Sequence, residues 1–196
     1  MKRPLLIWDI DDVLNDLIRL CISTTAQKIR PGIRFEDLQQ NPPLQELGCS
    51  LDEYRSILDE CRAEYLYDQP PRKEVLEFFQ TWGDQFRSVT LSSAPVSTAH
   101  RSAEWVLRHF GRWIHGTIFV PSPRKHIPIG TPLFASKAEA VSTLNGILID
   151  DMPLNVEPVR AAGNKAFYFP APWNENRNMS VENFFSMLCK ELELEK

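Results

Sequence analysis

The sequence predicts an α/β domain: a mainly parallel sheet with helices on both faces and a small helical cap inserted after the first strand. Three observations predict it. From residue 86 onward, short apolar runs alternate with segments of helical periodicity, the pattern of a parallel sheet joined by crossover helices. The first apolar run, Leu5 to Trp8, is followed instead by a long stretch of helical spacing with no strand pattern, too long for an ordinary crossover. Finally, three apolar runs end in polar residues suited to chemistry: Asp9/Asp11, Ser92/Ser93 and Asp150/Asp151. In a parallel sheet all strand C-termini share one edge, where open α/β sheets bind their ligands.

Residues 5–14 read Leu-Leu-Ile-Trp-Asp-Ile-Asp-Asp-Val-Leu. The apolar run, bounded by Pro4, reads as a strand buried on both faces. Asp9 and Asp11, two positions apart, start out on the same side of it. Apolar residues then recur at Val13, Leu14, Leu17, Ile18, Cys21, Ile22, Thr25 and Ile29, helical spacing that Pro31-Gly32 ends. Residues 33–48 are irregular, with a turn at Asn41-Pro42-Pro43. Ser50 and Glu53 form a capping box that opens a helix faced by Leu51, Tyr54, Ile57, Leu58, Cys61 and Tyr65. Pro70-Pro71 stops it and precedes a helix carrying Val75, Leu76, Phe78 and Phe79. The predicted division is therefore a core of residues 1–14 and 71–196 and a helical cap of residues 15–70.

The remainder is regular. Strands are expected over 86–91, 114–120, 146–149 and 165–169. Helices are expected over 96–110, stopped by Gly111; over 136–144, with a second capping box from Ser136 to Glu139; over 153–162, stopped by Gly163; and over 180–192. A Pro-rich loop over 121–132 holds Arg124, Lys125 and His126.

The totals exclude several functions. A chain of 196 residues with 43% apolar content builds a core of ordinary size. A net charge of -4 does not favour a nucleic acid polymer as partner. Cys21, Cys49, Cys61 and Cys189 are scattered, without a Cys-x-x-Cys pair, which fits reduced thiols in the cytoplasm better than a disulfide frame or zinc site. The apolar run after Lys2 and Arg3 is too short for a signal peptide or a membrane span.

Carboxylates packed this closely repel, and a shared oxygen-seeking cation such as Mg²⁺ relieves the repulsion. A second acidic pair, Asp150-Asp151, follows a strand just as Asp9 does. Each acid also has a plainer use. Asp11 or Asp12 can cap the following helix, and Asp151 precedes Pro153 at a helix start.

The ordered set resembles the haloacid dehalogenase-like (HAD) hydrolase superfamily. Asp9-Ile10-Asp11-Asp12-Val13 matches that family's Asp-x-Asp-x-(Thr/Val) motif after a hydrophobic strand. Val89-Thr90-Leu91-Ser92 fits the strand ending in Ser or Thr, Lys137 the helical lysine, and Leu148-Ile149-Asp150-Asp151 the final acidic motif. The Asp-Ile-Asp-Asp-Val-Leu form, the early helical cap and the Asp-Asp pair look like the 5'(3')-deoxyribonucleotidase-like branch.

What the resemblance implies is a Mg²⁺-dependent phosphatase acting on a small phosphate monoester such as a nucleotide. Asp9 is then the nucleophile that becomes phosphoaspartyl. Asp11 protonates the leaving alcohol and later deprotonates water. Ser92 holds phosphate oxygens, with Ser93 competing for that place, and Lys137 balances the charge of the intermediate, with Lys125 its rival. The ion is held by Asp9, the Asp11 backbone carbonyl and the Asp150/Asp151 pair. Asp151 is the direct ligand of that pair, Asp150 supports it, and Asn155 adds a contact behind them. Trp173 either stacks on a base or lies at the edge of the core. Two other readings stay open: a phosphorylatable module of the receiver type, in which the acidic residues would come in a different order, and a catalytically idle binding protein. Oligomeric state is not legible.

Overall fold

The computed structural model describes residues 3–122 and 132–194. Five parallel strands form one sheet in the order β3-β2-β1-β4-β5. They are β1 (Leu5–Trp8), β2 (Arg87–Ser92), β3 (Ile114–Phe119), β4 (Ile147–Asp150) and β5 (Ala166–Tyr168). β1 is central, so its apolar run is buried from both sides, and the period-two alternation divides its residues between two cores. Leu6 and Trp8 pack with Val75, Phe78 and Phe79 of α4 (Lys73–Trp82), Trp105 and Phe110 of α5 (Val96–Phe110), and Phe184 and Phe185 of α8 (Val181–Glu191). Ile7 packs on the other face with Ala140 and Val141 of α6 (Lys137–Leu144) and Val156 and Val159 of α7 (Pro153–Ala161).

The first core is aromatic. The Trp8 ring lies 5.0 Å from Phe79 and 6.0 Å from Phe78, and Phe78 stacks on Phe185 at 4.3 Å. Burying an indole strands its N–H unless a partner is present. Trp8 Nε1 donates to Ser88 Oγ at 3.2 Å on the adjoining strand.

Between β1 and β2 the chain forms α1 (Leu17–Ser23), a 3₁₀ turn (Thr25–Lys28), the short α2 (Leu44–Leu47) and α3 (Leu51–Glu64). These pack as a third hydrophobic cluster that also takes in Ala171 and Trp173 from the far end of the chain. The Ser50–Glu53 capping box forms as the sequence predicts, with Ser50 Oγ accepting from Glu53 N and the Glu53 carboxylate accepting from Ser50 N. Arg72 ties the exit of this insert to its entrance. Its N–H donates to Leu14 O at 2.9 Å, its Nε to Asn15 O at 3.0 Å, and its guanidinium pairs with Asp16 at 2.6 Å.

Two predicted features differ. The continuous helix expected from Val13 to Ile29 is broken at both ends. Asp12 stands at φ 62°, and Asn15 Oδ1 accepts from both Asp12 N and Leu17 N, so the chain turns before it can wind into helix. At the other end Thr24 Oγ1 takes the Leu20 carbonyl at 2.7 Å, a side-chain bond that competes with the helical ladder. The second capping box is only half made. Ser136 caps Glu139 N, but the Glu139 carboxylate accepts from Ala135 N rather than from Ser136.

Gly146 allows β4 to approach β1. A Cβ there would lie 2.6 Å from Ile7 Cδ1 and 3.2 Å from Leu5 O, inside the central strand pair. Gly146→Ala is therefore expected to cost about 1–3 kcal/mol of stability through overpacking. Chemical denaturation measures it, and an unchanged midpoint would contradict the close approach.

Candidate active site

β1 and β4 are neighbours in parallel register, Trp8 beside Ile149. Their C-terminal ends therefore bring Asp9 next to Asp150 and Asp151. Asp9 N continues the ladder by donating to Ile149 O at 2.9 Å. One carboxylate oxygen from each of Asp9, Asp150 and Asp151 lies within 4.8 Å of the others, and all three residues are buried. Lys137 reaches the same point from the start of α6. Its Nζ lies 2.8 Å from Asp9 Oδ1 and 2.7 Å from Asp150 Oδ2. At 4% exposure Lys137 is no surface lysine. Its sequence rival Lys125, with Arg124 and His126, lies outside the described residues.

The two acids of the pair have different surroundings. Asp150 is fully engaged: Oδ2 accepts from Lys137, Oδ1 accepts from Met152 N at 2.9 Å, and Asn155 Nδ2 reaches both oxygens at 3.0 Å. Asp151 faces the cavity above the sheet edge and accepts at Oδ2 from Trp173 Nε1 at 2.9 Å. Asn174 Nδ2 bridges the Asp151 and Phe169 carbonyls, both at 2.8 Å. The Pro172-Trp173-Asn174 segment thus fixes the Asp151 backbone and side chain. Trp173 packs its ring edge on Phe35 and is buried among the insert residues, as a core aromatic does.

Burial sets the electrostatics. It raises Asp9 from 3.8 to about 7, against the opposing pull of Lys137 and with the help of Asp150. Burial likewise pushes Asp151 up, reinforced by Asp150 and Asp12. Burial works against the Lys137 ammonium, yet Asp150 and Asp9 together outweigh it and hold the lysine charged. Among the described residues three carboxylates meet one ammonium here, and the donor set is all hard oxygen, which suits a divalent cation of the Mg²⁺ type.

Asp9 and Asp11 both line the cavity at this edge, although Asp11 lies past the end of the strand. The strand ends at Trp8, and Leu14 N donates to Ile10 O at 2.9 Å, so the backbone has already curled into a turn. The Asp11 carboxylate there meets the insert. Its Oδ2 accepts from Arg62 Nη2 at 2.7 Å and Nε at 3.2 Å, and its Oδ1 accepts from Asn15 Nδ2 at 3.3 Å. Asp12 is buried beside the acidic cluster without joining it and acts as a cap, Oδ1 accepting from Ile18 N at 2.9 Å. Burial raises it to about 8, with Arg72 opposing.

A cavity of about 350 Å³ lies over this edge. Asp9, Asp11 and Asp151 form part of its wall, together with Ser92 and Ser93 from the end of β2. Ser92 is buried with its Oγ accepting from Ala94 N, whereas Ser93 is half-buried. The insert supplies the opposite wall, including Tyr54, Leu58 and Arg62 of α3. Tyr54 Oη donates to Asn41 Oδ1 at 2.8 Å, and Asn41 Nδ2 reaches Met152 Sδ at 3.1 Å, so the insert is linked to the loop after β4. Arg62 escaped the reading of the sequence. The signal was present: Arg62 continues the row Tyr54–Leu58 at four-residue steps, a charge on an otherwise apolar helix face.

No protein-family model matches the chain, and no curated protein matches it by sequence. Solved structures do match in fold. A haloacid dehalogenase-like family hydrolase from Streptococcus pneumoniae is 16% identical, with 95% of this chain and 98% of that chain covered and a TM-score of 0.60. A protein described as a predicted phosphatase from Clostridium acetobutylicum is 13% identical, with coverage of 97% and 100% and a TM-score of 0.59. A haloacid dehalogenase-like protein of unknown function from Agrobacterium tumefaciens is 14% identical, with coverage of 98% and 100% and a TM-score of 0.58. The chain has the haloacid dehalogenase-like fold.

The raised acids make stability pH-dependent in chelator-treated protein. Asp9 at about 7 and Asp12 at about 8 both stand above the unfolded value of 3.8, so the folded state binds more protons over that interval. Their contribution is complete below the unfolded value and is lost as pH rises through 7 to 8. The denaturation midpoint is expected to fall between about pH 6 and about pH 8.5. A midpoint that climbs across that range would contradict the burial of these acids.

Proposed function

We propose that this chain is a Mg²⁺-dependent phosphatase that hydrolyses a small phosphate monoester through a phosphoaspartyl intermediate. The observation that carries the reading is the meeting of Asp9, Asp150 and Asp151 with Lys137 at one sheet edge, under a cavity sized for a small molecule. The fold likeness to hydrolases and to a protein described as a phosphatase supports it. The wall contributed by the insert favours a small ester over the receiver-type alternative, and residues 15–70 serve as a cap in this reading. Nucleotides belong among the candidate esters on the resemblance to the nucleotidase-like branch. The scattered cysteines, without a Cys-x-x-Cys pair, support a reducing compartment such as the cytoplasm. Among the described residues no helix is long and apolar enough to cross a membrane.

Asp9 and Asp151, with the Asp11 backbone carbonyl, would hold the cation, and Asp150 would support it from behind. Bound there, the cation offsets the repulsion between carboxylate and phosphate and polarises the phosphoryl oxygens. In the first half-reaction an Asp9 carboxylate oxygen attacks phosphorus. The bond to the ester oxygen breaks, and Asp11 gives that oxygen its proton, releasing the alcohol. In the second half-reaction water attacks phosphorus, Asp11 takes the water proton, and the Asp9–phosphorus bond breaks to release phosphate. Lys137, already charged and 2.8 Å from Asp9 Oδ1, neutralises the oxygen that stays behind. Ser92, with the less buried Ser93 beside it, would donate to the phosphoryl oxygens.

Asp9→Asn keeps the shape of the side chain and removes the nucleophile. We expect it to abolish turnover of para-nitrophenyl phosphate while the folded state persists by circular dichroism. Wild-type protein should lose the same activity in chelator and recover it on adding Mg²⁺. Full activity of Asp9→Asn would remove Asp9 as nucleophile, and chelator-resistant activity would remove the cation.

A further inference from the structure

Asp11 stands on the turn after β1, yet its firmest restraint comes from the insert. Arg62 lies 51 residues away on α3 and is buried to 7% exposure. Two of its nitrogens, Nη2 and Nε, converge on the single oxygen Asp11 Oδ2. Its remaining nitrogen, Nη1, lies 3.5 Å from Asp59 Oδ1 one turn earlier. Asn15 holds the other Asp11 oxygen and is itself fixed, its Oδ1 accepting from two backbone N–H groups. The Asp11 carboxyl is thus gripped at both oxygens, on the wall of the cavity that Asp9 also lines.

Arginine is rarely buried without a partner, and taking a guanidinium out of water is costly. A purely structural ion pair has no need to face the cavity. Here both partners face it. A general acid works only within about 2.6–3.2 Å of the oxygen it serves. A carboxyl on a turn, held from one side only, would sample other rotamers. The planar fork of arginine restricts it in a way that a lysine does not.

We infer that Arg62 is a positioning residue that holds the Asp11 carboxyl at the cavity wall, so that the insert aims the group that protonates the departing alcohol. The inference rests on the phosphatase reading. The atoms balance as in the two half-reactions above: the proton is carried on Oδ1, because Oδ2 accepts both Arg62 bonds, it leaves there for the ester oxygen, returns there from water, and Arg62 neither gains nor loses one. The insert therefore does more than cover the cavity. A chain in which α3 is not seated has Asp9 in place and its acid unaimed.

The test is the dependence of kcat/KM on the leaving group, because kcat/KM reports only the steps through alcohol release. Phenyl phosphate needs a proton on its departing oxygen, whereas 2,4-dinitrophenyl phosphate does not. Arg62→Met should lower kcat/KM about 100-fold for phenyl phosphate and less than about 3-fold for the dinitrophenyl ester. Arg62→Lys, which keeps the charge and loses the fork, should fall between wild type and Arg62→Met. Asp11→Asn should show the same selectivity, and Arg62→Met should add little to it, as coupled residues do. The ratio of the two esters on one sample does not depend on the folded fraction. Equal losses on both esters, a change confined to KM, or no loss at all would overturn the positioning role while leaving the phosphatase standing. Wild-type protein inert toward both esters, or an active Asp9→Asn, would overturn the phosphatase reading and this role with it.

Discussion

The structure depends on one buried electrostatic constraint: among the described residues, Asp9, Asp150 and Asp151 share a small space with a single ammonium, that of Lys137. Buried carboxylates are tolerated when paired and hydrogen-bonded, and costly otherwise. The chain meets part of that cost locally. Lys137 bridges Asp9 and Asp150, Asn155 and the Met152 amide complete Asp150, and Trp173 serves Asp151. The remaining imbalance shows in the raised affinity of Asp9 and Asp151 for protons. A proton and a divalent cation are alternative answers to the same excess of negative charge.

The sheet topology makes this constraint possible. Because the strands are parallel, Asp9, Ser92 and Asp150 end at one edge, and because β1 lies between β2 and β4, Asp9 is neighbour to both others. Two cores of opposite facing clamp β1 in place, Trp8 into the aromatic one and Ile7 into the aliphatic one. The insert then closes the edge from above. Its anchoring is distributed: Arg72 joins its two ends, Tyr54 and Asn41 reach Met152, and Arg62 reaches Asp11. The packing of the insert and the placement of the acids are consequently one problem.

Much of this was legible in the sequence because the signals are local. The strand–helix alternation, the Ser50–Glu53 box and the acids after two apolar runs all depend on residues within a few positions of one another. Lys137 was legible through its place in the ordered motif, although its burial was not. Elements that depend on long-range packing were harder to read. Trp173 binds Asp151 across 22 positions and Arg62 binds Asp11 across 51, and neither spacing carries a periodic signature. The contacts of Asp11 are a different case, because they form past the end of the strand. Strand alternation ends at Trp8, and the turn that Asp12 and Asn15 build sets the surroundings of Asp11.

The central claim is that these acids, distant in sequence, form one cation site facing a phosphoryl group. A crystal grown with Mn²⁺ in place of Mg²⁺, with the ion located by its anomalous scattering, tests it most directly. The account predicts one ion bound by carboxylate oxygens of both Asp9 and Asp151, at roughly the 2.1 Å of a hard-cation contact, with Lys137 still on Asp9. An ion bound elsewhere, or Asp9 and Asp151 facing away from a common centre, would contradict it.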